Sequence, residues 1–185
     1  MSNRPVIETE RAVLEILSPE KAELMQKYYL DNAEHLLKWE PARDDYFFEL
    51  DNWQKLLQRN IELYNGGNAL MFSALNKERT KVLGTCNFNN VVQGVFQACH
   101  LGYSIGEPFQ GKGLMFEILN AGIGYVFNEF GLHRVMANYM PHNLRSGALL
   151  SRLGFEKEGT AKSYLKIAGQ WQDHILTSKI NTRSE

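Results

Sequence analysis

Three consecutive strand-like segments, followed at once by a glycine-containing loop and a helix, constrain the fold of this chain most. Residues 69–75, 82–91 and 97–105 look like successive strands, and a polar turn over residues 76–81 joins the first two. The period then becomes helical over residues 113–130, and Gly131 ends that helix. Because successive strands joined by short turns pair antiparallel, this stretch predicts an antiparallel sheet with a helix packed on it.

The segments on either side add further strands and helices. We predict a first strand over residues 9–17, a helix that starts after Ser18 and ends before Pro41, and a second helix over residues 47–64. After the central helix the pattern predicts a strand, a helix and two closing strands, over residues 135–140, 143–153, 155–158 and 172–180. No linker or repeat interrupts the chain, so we expect a single domain over residues 1–185, of the α+β (mixed α/β) class.

The composition is that of an ordinary globular protein and argues against several classes of function. A formal charge of −1 and a pI near 6.5 provide no broadly basic surface, so we expect no nucleic-acid site. No run approaches the roughly 20 apolar residues of a membrane span, and the opening MSNRPVIETE lacks the apolar region of a signal peptide. We therefore expect a cytoplasmic protein that does not enter membranes.

The spacing of the cysteines and histidines indicates no chemistry of their own. Cys86 and Cys99 fit a reduced compartment, and we expect both to be buried small apolar residues. Cys99 has His100 beside it as a possible base, but neighbouring strand residues point to opposite faces. The five histidines show no metal-ligand spacing, so we predict no metal site.

The stretch from Tyr103 to Met115 carries the most information about function, because a strand there enters a loop that opens a helix. Backbone N–H groups at a helix start point the same way, and the helix dipole adds partial positive charge. Such a loop can hold a pyrophosphate. Gly111 and Gly113 lack a Cβ and would let a phosphate approach the backbone closely.

Two other phosphate-binding motifs fit this loop less well. Residues 106–112 match the first part of a P-loop, but Gly113 follows where a Ser or Thr is needed as a Mg²⁺ ligand. The dinucleotide-binding fingerprint also fails, because Phe116 stands where its third glycine is required. A further interpretation, in which the glycines serve only the geometry of the turn, stays open at this point.

The loop resembles the acyl-CoA loop of the GCN5-related N-acetyltransferases (GNAT), whose motif is Q/R-x-x-G-x-G/A; here it reads Gln110-Gly111-Lys112-Gly113-Leu114-Met115. Met115 departs from the motif, since the family has a small residue there; whether its side chain crowds the phosphate stays open, because backbone donors need no particular side chain. Residues 132–159 are similar to the family's later motif, in which a strand, an N-x-x-S helix and a Gly-Phe strand follow in order. Asn143 and Ser146 are the matching residues of that helix.

Within this family the chain is most similar to the ribosomal-protein alanine N-acetyltransferases of the RimJ and RimL type, and it is nearer the RimJ type. The residues that carry this likeness are 102–105, 110–117, 136–143 and 169–174, whereas residues 30–68 are less diagnostic. The resemblance implies the GNAT fold, with a mostly antiparallel central sheet flanked by helices. It also implies acetyl-CoA as the acetyl donor and the N-terminal alanine of a small-subunit ribosomal protein as the acceptor.

The resemblance further implies a cofactor site and candidates for catalysis. The predicted cofactor-binding residues are Tyr103, Ser104, Ile105, Gln110, Gly111, Lys112, Gly113, Leu114, Met115 and Asn143. Leu150 stands where many members have the tyrosine that protonates the departing thiolate, and Ser146 matches the serine that the RimL type uses. Glu107, just after the cofactor strand, is the candidate base. We expect Glu117 to hold a basic partner or nearby backbone instead.

Alternatives stay open for single residues and for the function. Asn143 and Ser146 also suit the start of a helix as capping residues, and Glu107 also suits a solvated loop. An aromatic wall with a carboxylate would suit a cationic acceptor, and the candidates are Trp39, Glu40, Tyr139, Tyr164 and Trp171. The competing functions are a small-molecule acetyltransferase, acting on a polyamine, amino acid or aminoglycoside, and a ribosome assembly factor that needs no chemistry. The sequence leaves the oligomeric state open.

Overall fold

The computed structural model describes residues 4–182, and within them eight strands form one sheet. The strands are β1 Val6–Glu8, β2 Val13–Glu15, β3 Leu70–Leu75, β4 Val82–Val92, β5 Ala98–Ile105, β6 Arg134–Tyr139, β7 Glu156–Ile167 and β8 Gln170–Ile180. Their order across the sheet is β1-β2-β3-β4-β5-β6-β8-β7. β5 and β6 pair in parallel, while the other neighbours pair antiparallel. This confirms the predicted mixed class with a mostly antiparallel sheet.

Helices cover both faces of this sheet. The α-helices are α1 Ala22–Asp31, α2 Ala33–Leu37, α3 Leu50–Asn65, α4 Leu114–Asn128 and α5 Leu144–Arg152, and short 3-10 helices occur at Pro19–Lys21, Asp45–Phe48 and Glu107–Phe109. Phe72 and Cys86 belong to the buried cluster that holds α4 and α5. The next residue along β3, Ser73, contacts Met25 of α1 instead. Since adjacent strand residues point to opposite faces, α4 and α5 lie on one face and α1 and α3 on the other.

The central strands and α4 agree with the prediction, and two segments at the start of the chain do not. The strand predicted over residues 9–17 is wrong in its bounds: only Val13–Glu15 of it is a strand, and residues 9–12 form a turn in which the Thr9 hydroxyl accepts a hydrogen bond from the Ala12 N–H at 3.0 Å. The single helix predicted before Pro41 is divided after Asp31, where the Asn32 side chain donates to the Tyr28 carbonyl at 2.8 Å. In both places a polar side chain bonds to the backbone and competes with the regular structure.

The sheet opens between β5 and β6, and this opening positions the functional site. The two strands pair only from Ala98↔Arg134 to His100↔Met136, although β5 continues to Ile105. On its other side β5 pairs with β4, and the Gly106 N–H donates to the Leu83 carbonyl at 2.9 Å. Along an antiparallel strand, residues that hydrogen-bond to the neighbouring strand alternate with residues that do not. Because Gly106 bonds to β4, the backbone N–H and C=O groups of Tyr103 and Ile105 point away from β4. They therefore face the opening, which we call the fork.

No helix within residues 4–182 is long and apolar enough to cross a membrane.

Candidate active site

The loop before α4 has the geometry of an anion site. Gly111 and Gly113 have φ angles of +71° and +72°, in the left-handed region that favours glycine. Gly113 is the N-cap of α4, and no side chain caps this helix start among the described residues. The first N–H groups of a helix have no partner within it, so those of α4 are free to bind an anion. A Cβ added to Gly111 would meet nothing within 4 Å, which leaves room for a phosphate.

The side chain of Met115 lies away from this loop. It is only 7% exposed and belongs to the buried cluster under α4, as does Leu114. The start of α4 turns this side chain into the core, away from the approach to the loop. Leu114 and Met115 can contribute to a cofactor site through their backbone N–H groups.

A cation from the far end of the chain supports the loop. The Arg11 Nε and backbone N–H each donate to the Glu117 carboxylate at 2.7 Å, and its Nη1 donates to the Lys112 carbonyl at 2.8 Å. Although burial pushes the other way, hydrogen bonds from Thr9 and Arg11 hold the pKa of Glu117 below its usual value. Glu117 thus holds a basic partner, as expected. The Lys112 ammonium is exposed and donates to the Pro108 carbonyl at 2.8 Å.

Gln110 joins three elements around the loop. Its side-chain oxygen accepts from Arg145 of α5 at 2.8 Å, and its amide nitrogen lies 2.9 Å from the His35 Nε2 of α2. The side chain thereby connects the cofactor loop to helices on two sides of it. Neither contact was predicted, because His35 belongs to no motif and Arg145 stands at a variable position of the N-x-x-S segment.

Asn143 and Ser146 lie at the start of α5, opposite β5. The Asn143 side-chain oxygen accepts from the Ser146 N–H at 3.2 Å, so the capping interpretation of Asn143 is confirmed. The Ser146 hydroxyl is 2.5 Å from the hydroxyl of Tyr103. Burial raises the pKa of Tyr103 to about 12, so its phenol is neutral at neutral pH. This contact places the Ser146 hydroxyl of α5 next to Tyr103, at the edge of the fork.

Ser104 is oriented differently from its neighbours. Its hydroxyl is 2.9 Å from the Tyr28 hydroxyl and 2.9 Å from Thr85 Oγ1, on the face that α1 covers. The strand alternation also turns its backbone groups toward β4. The structure therefore brings Tyr103 and Ile105 to the fork and places Ser104 on the opposite face.

Glu107 begins the short helix between β5 and the loop. Its backbone N–H donates to the Asn32 side-chain oxygen at 3.0 Å, and its side chain is exposed. Within residues 4–182 the carboxylate has no hydrogen-bond partner or ion pair. It is therefore open to solvent and to a bound water.

The predicted acceptor contacts lie in the segment after α2, on β6 and on the β7–β8 hairpin. The Trp39 ring stacks on His142 with centroids 5.8 Å apart. The Glu40 carbonyl accepts from the Ala168 N–H at 3.0 Å, which joins this segment to the hairpin. Burial raises the pKa of Glu40, while Arg43, 3.3 Å away, acts in the opposite direction. On the hairpin, Trp171 is exposed.

Tyr139 and Tyr164 are held by contacts of their own. Tyr139 packs against Gly147, and Tyr164 accepts a hydrogen bond from the Asn138 side chain at 3.3 Å.

The cysteines are buried, as predicted. Cys86 and Cys99 are both free thiols in the core, and burial raises the pKa of each, that of Cys99 to about 12. A thiol with a raised pKa is a poor nucleophile at neutral pH. Among residues 4–182 no group of three or more His, Cys, Asp or Glu side chains is placed to hold a metal ion.

The acetyltransferase (GNAT) domain model matches residues 11–156, most of the chain. The chain belongs to the GNAT acetyltransferase family. It is 48% identical to the [ribosomal protein uS5]-alanine N-acetyltransferase of Escherichia coli over 96% of this chain and 92% of that protein. The family assignment makes the chain an acetyltransferase with acetyl-CoA as its acetyl donor, as the loop motif implied.

Solved structures of family members have the same fold. A ribosomal-protein-S5-alanine acetyltransferase from Vibrio fischeri superimposes with a TM-score of 0.93, at 39% identity, over 98% of this chain and 99% of that one. RimJ of Mycobacterium smegmatis, in complex with CoA-disulfide, has a TM-score of 0.89 at 24% identity, over 97% of this chain and 88% of that one. At that lower identity the likeness concerns the fold alone.

Proposed function

We propose that this protein transfers the acetyl group of acetyl-CoA to the N-terminal alanine amine of ribosomal protein uS5, acting as one domain in the cytoplasm. The observation that carries the proposal is the 48% identity to the E. coli enzyme named for this reaction, over nearly the whole of both chains. The open fork and the anion-binding loop support it, because they provide a place for the donor.

In this proposal the backbone of β5 and the loop hold the donor. Backbone groups of Tyr103 and Ile105 at the fork bind the amides of the pantetheine arm, as a neighbouring strand would. The N–H groups from Gly111 to Met115 bind the pyrophosphate. The Asn143 amide nitrogen, whose oxygen already caps α5, is left to donate to the same arm. The thioester then lies at the fork, next to the Tyr103 and Ser146 hydroxyls.

Ser146 protonates the sulfur as it leaves. The amine nitrogen attacks the thioester carbonyl carbon, the C–S bond breaks, and the thiolate takes the hydroxyl proton of Ser146, whose oxygen then regains a proton from solvent. The Tyr103 and Ser146 hydroxyls are 2.5 Å apart. In this proposal the phenol is the donor of that hydrogen bond, which leaves the proton of Ser146 free to point at the sulfur. The partial positive charge at the start of α5 favours this transfer to a developing anion.

The acceptor needs only modest help to lose its proton. A free α-amino group has a pKa of about 7.7–8.0, so deprotonation at neutral pH costs about 1–1.4 kcal/mol. For a lysine amine, with a pKa of about 10.4, the cost is roughly 4.6 kcal/mol. Glu107, exposed after the cofactor strand, takes the proton through a bound water. The chemistry therefore favours an N-terminal acceptor over a lysine side chain.

The test is mass spectrometry of synthetic acceptors incubated with acetyl-CoA and the purified protein. We expect a gain of one acetyl group on peptides with a free N-terminal alanine, and none on N-blocked lysine peptides, spermidine or an aminoglycoside. Acetylation of spermidine or the aminoglycoside alone would overturn the proposal in favour of a small-molecule acetyltransferase.

A further inference from the structure

A cavity of about 450 Å³ lies between α3 and the sheet, on the face that α1 covers. Its volume is within the range of ligand pockets, about 300–1,000 Å³. Strands β3 and β4 form its floor, and α3 with the segment before it forms its walls. The residues that line it include Arg43, Asp44, Trp53, Asn60, Thr85 and Asn87.

Polar groups around this cavity lack partners. Trp53 is 5% exposed, and its buried indole N–H has no hydrogen-bond partner in the structure. Asn60 and Asn87 are half-buried, and their side chains make no hydrogen bond within residues 4–182. Buried polar groups in native proteins are nearly always paired. The two half-buried amides have their donors and acceptors free for a polar ligand in the cavity.

The cavity is close to the fork. Thr85 on its floor is 2.9 Å from the Ser104 hydroxyl of β5. Asn87 pairs across the sheet with Gly102, which is exposed, and a Cβ added there would meet nothing within 4 Å. The sheet surface from the fork across Gly102 to Asn87 is thus open. Neighbouring strands are about 4.8 Å apart and an extended chain rises about 3.3 Å per residue, so about two residues span this path.

We infer that the cavity binds the second and third residues of the acceptor polypeptide, an inference that rests on the proposed function. With its amine at the fork, an extended acceptor crosses Gly102 and enters the cavity. Asn60 and Asn87 each offer a donor and an acceptor, which match the N–H and C=O of a peptide group. Trp53 adds an aromatic wall.

The charges of the cavity also favour a peptide over a polycation. Arg43 and Asp44 line it together, so their formal charges cancel. A site for a polyamine would need an excess of carboxylates to hold several ammonium groups. The cavity instead combines aromatic walls with neutral amides, a composition that suits a peptide backbone with uncharged side chains.

The test compares a long and a short acceptor in steady-state kinetics. The long acceptor is a hexapeptide that begins with alanine, and the short one is alanine amide, which cannot reach the cavity. We expect Asn87→Ala and Asn60→Ala each to raise KM for the hexapeptide about tenfold, as loss of a hydrogen bond does, with kcat unchanged. KM for alanine amide should stay at the wild-type value.

Matched controls separate binding from folding. Asn89→Ala removes a half-buried asparagine from the same face of β4, outside the cavity, and should leave both acceptors unaffected. Trp53→Phe shortens an aromatic wall of the cavity and should also raise KM for the hexapeptide alone; its melting temperature checks that it folds.

The outcomes distinguish the two proposals. Unchanged hexapeptide KM values in the asparagine variants, or equal increases for both acceptors, would overturn the cavity assignment and leave acetylation of N-termini standing. Failure of the wild-type protein to acetylate either acceptor would instead overturn the proposed function.

Discussion

At the scale of single residues, Ser146 carries the main chemical assignment. Its hydroxyl is held by Tyr103 and its N–H by Asn143. Because a positioned general acid contributes about 10²–10⁴-fold, we expect Ser146→Ala to lower kcat by at least about 10²-fold, with little change in KM for acetyl-CoA. The release of CoA thiol measures this rate. Ser151→Ala, at an exposed site on the same helix, is the control and should keep wild-type kcat.

Tyr103 acts through Ser146 as a positioning residue. Since burial raises the pKa of Tyr103 to about 12, the phenol keeps its proton at neutral pH and can donate to the serine oxygen. Tyr103→Phe should lower kcat about tenfold and, when combined with Ser146→Ala, cause no further loss. Additive losses in the double variant would contradict the shared role.

Single residues also show how far the sequence could predict the site. The sequence could predict Gln110 to Met115 as a phosphate loop, because this loop is one contiguous motif with a local physical reason for its glycines. Arg11 and His35 were not predicted, since they are 106 and 75 positions away from their partners Glu117 and Gln110. The side-chain direction of Met115 depends on the core beneath α4, which the motif alone does not describe.

At the scale of elements, the packing of α4 on the sheet leaves no space for a side chain at one glycine of this helix and leaves space at another. A Cβ on Gly122 would lie 2.8 Å from Cys86 Sγ and 3.2 Å from a ring carbon of Phe88, whereas one on Gly124 would meet nothing within 4 Å. Gly122→Ala should lower the free energy of unfolding by about 1–3 kcal/mol through overpacking. Gly124→Ala should raise it by about 0.5–1 kcal/mol, because alanine favours the helix.

Urea unfolding of the two alanine variants measures these effects. Equal changes in both would contradict the close approach of α4 to β4.

The elements that the sequence predicted well are those with a strong period. β3, β4, β5 and α4 follow apolar runs with the period of a strand or a helix, and their apolar residues form part of the buried core. β7 extends to Ile167, well past the predicted end at residue 158, because this edge strand is mostly exposed and carries little apolar pattern. The fork could not be predicted, since it depends on where β5 and β6 stop pairing, a property of two segments distant in sequence.

At the scale of the whole molecule, one ion pair joins the turn after β1 to the cofactor loop. The Arg11–Glu117 pair connects residues 106 positions apart and holds the Lys112 carbonyl as well. We expect Glu117→Gln to lower the free energy of unfolding at pH 7 by about 1–2 kcal/mol, in the range of hydrogen bonds to charged groups.

The pH dependence of this difference follows from the lowered pKa of Glu117. A carboxyl whose pKa is lower in the folded state stabilises the fold fully when the pH is above its pKa in the unfolded state, here 4.5. This stabilisation is lost as the pH falls through the pKa of the folded state. Urea unfolding at pH 7 and below 4.5 should therefore show the wild type and Glu117→Gln converging in acid. Glu10→Gln, at an exposed site next to Arg11, is the control and should show no such convergence.

The most direct measurement of the central claim uses the whole acceptor. Ribosomal protein uS5 with a free N-terminal alanine is incubated with acetyl-CoA and this protein, and fragmentation mass spectrometry locates the acetyl group. We predict one acetyl group, on the α-amine of the alanine, with every lysine unmodified. Acetyl groups on lysine side chains, or an unmodified uS5 beside a rapidly acetylated polyamine, would contradict the account.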